Sequence, residues 1–554
     1  RETRTDRGPL ERRQAGDEED AVWQDALQED GGQALGTPLE RPAQACHSPT
    51  SMTLRFLCLL AAASALTLAL PVPTLAQDAP KSEATAKSAP EAQVRSRELA
   101  GTFGGQRIAY KATIADTILT GEDGKAEAVI VTTSYVKTPA DPSRPVFFLY
   151  NGGPGSGSVW LQMGAFGPKR VAIPSDAKDD GAPPYPLLDN PDSLLDVADL
   201  VFIDPPGTGF SYLTPGTDPK KYYGLRQDAR AVSQVIRRWI NDNGRWASPK
   251  YLGGESYGTS RTAMVVDELE GSTYNDVGLN GLVLISTILD FAGREPTPGN
   301  ELAYIVTLPN MAAAAYYHGK VQAPSVEAIV AEARKFAIGP FATALLKGEE
   351  LPAEERASVR KELARLTGLS ETYLDQANLR VTDQRFYKEL LRDRGLTIGR
   401  LDARYTGTDY DNAGETPDDD PSFYGIDAGY TAAINMWSRE TLGYRTDREY
   451  QAIGREPGRS WDWSLGGGGR GAYLNIAPLI GQAMRQNAGL RLFNAQGYYD
   501  FATPFFGAEY SLKRSGIPQD RITWKYYDAG HMMYVRDEDR AKLSADIRAF
   551  IRGR

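Results

Sequence analysis

From Arg107 onward the chain sets out its apolar positions in short, regular runs, and the period of each run predicts an element. Arg107–Thr120 and Lys125–Val136 are β-rich and are joined across Glu122-Asp123-Gly124, which predicts a hairpin. Four nearly unbroken apolar runs follow: VFFLY (Val146–Tyr150), LVFID (Leu200–Asp204), KYLGG (Lys250–Gly254) and GLVLIS (Gly281–Ser286). Short runs that give way to Gly, Pro, Asp or Ser read as strands buried on both faces and ending at a ligand edge. Between the second and third, Leu225–Asn243 carries Ala229, Val232, Val235, Ile236 and Trp239 at helical spacing. Strand, helix and strand in alternation predict an α/β fold, a mostly parallel sheet flanked by helices.

The pattern changes from about Pro296 to Tyr444. Segments such as SVEAIVAEARKFAIGPFATALLKG and AEERASVRKELARLTG keep charges on one face and Ala, Leu, Ile and Val on the other, so a largely helical insertion is expected there. The acidic stretch Asp409–Asp420 reads as a solvated loop. LRLFNA (Leu490–Ala495) and RITWKYY (Arg521–Tyr527) then return as the last strands of the interrupted sheet. The sheet domain is expected over residues 100–295 and 446–554, with the cap insertion over residues 296–445.

Composition adds compartment and excludes one class of partner. A net charge of −10 is wrong for a nucleic-acid binder, which needs a basic surface. Residues 1–51 are polar and without hydrophobic period, as upstream or disordered sequence would be. Residues 52–76 have a short basic region at Arg55, an apolar run from Phe56 to Leu70, and small residues ending at Ala76; this reads as a secretory signal rather than a membrane span. A flexible linker is expected over residues 77–99. Both cysteines, Cys46 and Cys58, precede the expected cleavage point, so the mature chain would carry none. Export to the periplasm or the extracellular space follows, with no stable membrane insertion after cleavage.

The stretch GGESYGTSR contains a G-x-S-x-G pattern centred on Ser256, after a predicted strand and before the helical pattern RTAMVVDELEG. A strand–turn–helix of this kind exposes a serine hydroxyl above a sheet and aims helix N-terminal amides at the reacting oxygen. A nucleophilic serine needs a base, and the chain has three histidines. His47 precedes the signal and His318 lies in the insertion, where a structural role is expected; His531, in DAGHMM directly after the last strand, is the candidate base. Asp500, in NAQGYYDFATPF, is the candidate orienting carboxylate, preferred over Asp528, which sits three residues from His531 and suits a strand end. For the oxyanion, NGGPGSGS (Asn151–Ser158) supplies close backbone approach, and the amides of Gly153 and Tyr257 are the expected donors. A phosphate-loop reading fails because Ser158 and Val159 stand where Lys and Ser/Thr are required. No metal motif is present and no cofactor is expected.

NGGPGSGS, FIDPPGTGFSY (Phe202–Tyr212), GESYG around Ser256, GYYDFATP around Asp500 and DAGHMM around His531 are collinear, and together they resemble the serine carboxypeptidase family of α/β hydrolases, in a bacterial-type form without the disulfides. The resemblance implies an α/β-hydrolase fold with a helical cap, peptide substrates, and hydrolysis from the C-terminus through an acyl-enzyme. It also implies that Asn151, Gly152 and Glu255 bind the substrate's terminal carboxylate. The family pairs that glutamate with a second one, and the aligned position here is Ala165; the tryptophan that often precedes the asparagine is also missing, with Leu149 two residues before Asn151. An esterase or a proline-type aminopeptidase on the same triad, or an inactive hydrolase fold used as a binding module, are the competing readings.

Overall fold

The computed structural model describes residues 90–271, 275–465 and 473–553. The expected signal segment, both cysteines, His47 and most of the glycine-rich SLGGGGRGAY lie outside those residues. Among the described residues, ten strands form one sheet. Its main path uses β1 (Val94–Phe103), β2 (Gln106–Thr120), β3 (Ala126–Lys137), β4 (Val146–Tyr150), β5 (Asp199–Ile203), β6 (Lys250–Glu255), β7 (Gly281–Ile285), β8 (Arg491–Gly497) and β9 (Ile522–Tyr527), in the order β1-β2-β3-β5-β4-β6-β7-β8-β9. The first three strands pair antiparallel, and β3 meets β5 antiparallel. From β5 to β9 every pairing is parallel.

This mixed, mostly parallel sheet flanked by helices is the α/β architecture that the alternating pattern predicts, and its strand order agrees with the α/β-hydrolase fold that the resemblance implies. The edge strand β1 starts at Val94, inside the stretch expected to be linker. Its sequence, VRSRELAGTF, shows little apolar alternation because most of the strand faces solvent.

Side chains alternate across the parallel strands and divide the core in two. Phe147 and Leu149, Leu200 and Phe202, Val283 and Ile285, and Phe493 and Ala495 pack on one face. Val146, Phe148 and Tyr150, Val201 and Ile203, and Leu282 and Leu284 pack on the other. The second face is covered by α1 (Leu225–Asp242) and α2 (Tyr257–Glu270), whose buried residues include Val232, Val235, Ile236, Met264 and Val265.

Between β7 and β8 the chain is largely helical. α3 (Leu302–Tyr317) buries Ala312–Ala315, and α4 (Val326–Phe336) is capped by the Ser325 hydroxyl, which accepts from the Ala328 N–H. α5 (Ala353–Thr367) ends on Gly368 in the left-handed region. This insertion builds a third apolar cluster that also takes in Tyr498, Tyr499, Phe501 and Phe505 from the segment after β8. The acidic stretch 409–420 is a mostly exposed loop, but Asp409 is buried against Lys388, which is itself fully buried. A charge run counts as solvated only until one of its members finds a buried counterion. Among the described residues, no helix is long and apolar enough to cross a membrane.

Candidate active site

The elbow after β6 is built by close backbone packing. Ser256 sits between β6 and α2 with φ 59° and ψ −132°, a conformation that L-residues avoid and that holds the side chain clear of the sheet. Its N–H donates to the Ile285 carbonyl at 3.0 Å, and its side chain is partly exposed where its neighbours are buried. The loop after β4 lies directly against this turn. A Cβ at Gly152 would fall 2.5 Å from the Tyr257 N and 2.7 Å from the Gly258 N, so only glycine allows the two backbones to meet. Gly153 and Tyr257, the expected oxyanion donors, belong to these two touching segments.

Behind the elbow, Arg261 is fully buried. Its Nε donates to Asp228 Oδ2 at 2.6 Å, and its Nη1 donates to the Asn151 carbonyl. The guanidinium lies over the Tyr150 and Tyr257 rings, 5.5 and 5.2 Å from their centroids. One cation therefore ties the first residue of the NGGPG loop to the helix that follows Ser256. Farther along that loop, Ser158 N–H and Tyr450 OH both donate to Asp204 Oδ1, at 2.8 and 3.0 Å. Burial pushes the Asp204 carboxyl up to about 6 against those two donors.

Asp500 and His531 come from the loops after β8 and β9 and meet at the same sheet edge. His531 Nδ1 lies 2.9 Å from Asp500 Oδ2, with His531 5% exposed and Asp500 0%. Burial of the imidazole works against its charged form, but the Asp500 carboxylate and its hydrogen bond, with Glu255 adding, hold the His531 pKa above the ordinary histidine value. With Nδ1–H given to Asp500, Nε2 is left free to act as a base. Among the described residues Ser256 Oγ makes no hydrogen bond, so the serine is not engaged by His531 in this state. Asp528, the competing carboxylate, is exposed at the end of β9.

Glu255 is buried at 3% exposure, with Oε1 accepting from Asn151 Nδ2 at 2.7 Å. Asn151 Oδ1 in turn accepts from Leu161 N at 3.0 Å. The Tyr534 hydroxyl faces the same carboxyl outside strict hydrogen-bond geometry; it and Glu255 Oε2 are both buried without a partner among the described residues. Burial pushes Glu255 up to about 7, with Asp500 adding, while His531, Tyr534 and Asn151 favour the charged form. Ala165 is buried in a π-helical turn over Leu161–Phe166, packed among apolar side chains, so no acid stands there. Asn151 and Glu255 thus bond to each other through Oε1, while Glu255 Oε2 is left without a partner among the described residues.

Thr503 is a participant that the sequence reading did not single out. Its hydroxyl donates to Asp500 Oδ2 at 2.6 Å and lies 3.2 Å from His531 Nδ1, and its N–H donates to Asp500 Oδ1 at 3.0 Å. The clue was a hydroxyl residue three positions after the candidate acid, a spacing suited to a side-chain turn. Arg261 left a fainter signal, the one cation in α2, set among Thr259, Ser260 and Thr262. Among the described residues no group of three or more His, Cys, Asp or Glu side chains is arranged to hold a metal ion.

The fold is that of the α/β hydrolases, and Ser256, Asp500 and His531 stand at the ends of its strands. Residues 134–336 match the Peptidase_S10 family model, described as serine carboxypeptidase, and the resemblance carried by NGGPGSGS, FIDPPGTGFSY and GESYG holds over that stretch. The match takes in the loop after β4 and the elbow and ends before Asp500 and His531.

Solved structures are similar only at a distance. An enantioselective mutant of an epoxide hydrolase from Aspergillus niger is 12% identical, with 80% of this chain and 78% of that chain covered and a TM-score of 0.31. Peroxisomal α/β-hydrolase Lpx1 from Saccharomyces cerevisiae is 10% identical, with 83% and 89% covered and a TM-score of 0.29. Esterase E22 is 12% identical, with 83% and 100% covered and a TM-score of 0.30. Similarity this slight says nothing about substrate.

Proposed function

We propose that this protein is an exported serine-type carboxypeptidase that removes C-terminal residues from peptides through an acyl-enzyme. The observation that carries the reading is the His531–Asp500 hydrogen bond at the sheet edge that also bears Ser256 on its strained turn. In the first half-reaction Ser256 Oγ attacks the scissile carbonyl carbon while His531 Nε2 takes its proton. The Gly153 and Tyr257 N–H groups stabilise the oxyanion. The C–N bond then breaks, His531 passes the proton to the leaving amine, and water activated by the same imidazole releases the acyl group. Asn151, Gly152 and Glu255 are proposed to recognise the terminal carboxylate, no cofactor is involved, and the signal read at residues 52–76 supports periplasmic or extracellular residence.

A second reading, an esterase or proline-type aminopeptidase on the same three residues, is favoured by one observation. Glu255 is buried and bonded to Asn151, and Ala165 offers no second acid to pair with it, so one part of the carboxylate site that the resemblance implies is missing.

The test is amino-acid release from a matched pair of peptides, one with a free and one with an amidated C-terminus, from about pH 4 to about pH 8, beside Ser256→Ala. Release from the free C-terminus alone, lost by at least roughly a thousandfold in Ser256→Ala, is the expected result. Equal turnover of both peptides would sink the carboxypeptidase reading and leave the triad standing. Turnover that survives in Ser256→Ala would remove the triad, and an inactive wild-type protein would favour a binding module.

A further inference from the structure

We propose that the segment Arg400–Arg404 of the helical insertion is a positioning strap for the acid–base half of the active site, with Asp402 as its central residue. The inference rests on the triad reading given above. Four hydrogen bonds carry it. The Phe501 N–H donates to the Arg400 carbonyl at 3.1 Å, and the Ala403 N–H donates to the Tyr499 carbonyl at 2.9 Å. These two bonds grip the residues on either side of Asp500. The His531 N–H donates to the Leu401 carbonyl at 2.7 Å, and the Gly530 N–H donates to Asp402 Oδ2 at 3.0 Å. The strap thus bonds to the loop that carries the acid and to the loop that carries the base.

The fit leaves no slack. A Cβ on Gly530 would lie 2.4 Å from both the Asp402 Cβ and the Leu401 carbonyl oxygen, so position 530 must be glycine for the strap to seat. Asp402 is itself buried and fixed by Arg404, whose Nη2 lies 2.6 Å from Asp402 Oδ2. The strap's other side belongs to the insertion. Arg400 N–H donates to Asp420 Oδ1 at 3.0 Å, and the Leu401 and Asp402 N–H groups donate to Ser422 Oγ at 3.0 and 3.1 Å. His318 Nε2 meets the Ala403 carbonyl at 2.6 Å, which gives the insertion histidine a definite task.

The insertion therefore does more than cover the sheet edge. β8 and β9 set where the two loops start, but the 2.9 Å separation of Asp500 and His531 depends on a third segment that holds both of them. Displacement of a reacting pair by about 1 Å costs on the order of a hundredfold in rate. Asp402 touches no reacting atom in this scheme; it acts by keeping the Gly530–His531 loop in place.

The experiment compares Asp402→Ala and Asp402→Asn with the wild-type full chain on a small activated ester, 4-nitrophenyl acetate, which is too short to engage a distant substrate pocket. Asp402→Ala is expected to lower kcat by roughly ten- to a hundredfold with KM little changed. The acid limb of its pH–rate profile should move to lower pH, because an imidazole loosened from Asp500 loses the contact that favours its charged form. The charged groups acting on His531 are Asp500, Glu255 at the end of β6, and Arg400 on the strap itself. Asp402→Asn keeps an acceptor for the Gly530 N–H and should fall between the two.

Removing Asp402 strands Arg404 in the interior, so a second pair guards against misfolding. His318→Ala should lower kcat a few-fold in the same direction, and His318→Gln, which keeps a donor for Ala403, should restore it. Wild-type kcat and an unmoved acid limb in Asp402→Ala would overturn the proposal. So would a kcat loss that leaves the limb in place and is not relieved in Asp402→Asn, because that pattern is general damage. Ser256→Ala measured on the same ester keeps the two questions apart: if it retains turnover, the triad reading has failed rather than the strap.

Discussion

The two halves of the proposed active site are held together by different means. In the nucleophile half two segments meet each other directly. β4, β6 and the loops that follow them press backbone on backbone, with Gly152 against the Tyr257 amide and Arg261 joining Asn151 to the helix after Ser256. The acid–base half is held through a third segment. Asp500 and His531 sit on loops after adjacent strands, yet the bonds that fix them reach back to Arg400–Arg404, and the His531 carbonyl accepts from Ser286 Oγ at 2.6 Å. The family match covers the first half and stops short of the second. A short, dense set of contacts leaves a motif in the sequence, whereas bonds made by the backbones of remote residues leave little trace.

Three substitutions sharpen the contrast. Gly152→Ala should be the most damaging, since the added carbon meets backbone atoms that cannot turn aside; a kcat loss of roughly 10² to 10³ is expected in ester hydrolysis, the size of losing an oxyanion donor. Retention of more than a tenth of wild-type kcat would mean that the β4 loop is less tightly seated than its contacts imply.

On the other half, Thr503→Val removes a hydroxyl that donates to Asp500 and lies beside His531 Nδ1. A kcat loss of about tenfold, one charge-assisted hydrogen bond in size, is expected, with Thr503→Ser close to wild type. Equal damage from both variants would point to packing of the methyl group instead.

In ester hydrolysis, where no terminal carboxylate is bound, Glu255→Gln should show the smallest rate effect and the clearest pH effect. Removing its charge takes away one of the influences that raise His531, so the acid limb of kcat/KM should move to lower pH. Stability gives an independent measure. The Glu255 pKa is raised on folding from an ordinary 4.5 to about 7, so its protonated, buried form is fully accommodated below the ordinary value and stability falls as pH rises through about 7. The amide does not titrate. Glu255→Gln should therefore gain melting temperature relative to wild type above pH 7, and the gap should close toward pH 4; a gap independent of pH would show that Glu255 is already ionised.

Much of the sheet and of the candidate site was legible. Apolar runs ending in small or polar residues located β4 to β9 to within one or two residues, because strands buried on both faces leave an unbroken signature. Ser256, Asp500 and His531 stood out by spacing and by the scarcity of histidine. β1 was missed since a mostly solvated edge strand carries little apolar period. Thr503 was passed over because one hydroxyl among many has no signature until its partner's position is known. The strap was illegible for a stronger reason, as three of its four bonds to the catalytic loops use main-chain atoms at both ends. Any sequence that bent the same way would make them.

The distance in the chain between the bonded partners also bears on how the protein acquires activity. The Ser286–His531 bond spans 245 residues, and contacts of that range form late because the loop they close must first lose its conformational freedom. On refolding from denaturant, helix and sheet signals should return before ester turnover does. Regained activity is thus the stricter criterion of a native chain, and a preparation judged by circular dichroism alone could contain molecules with a finished elbow and an unassembled base.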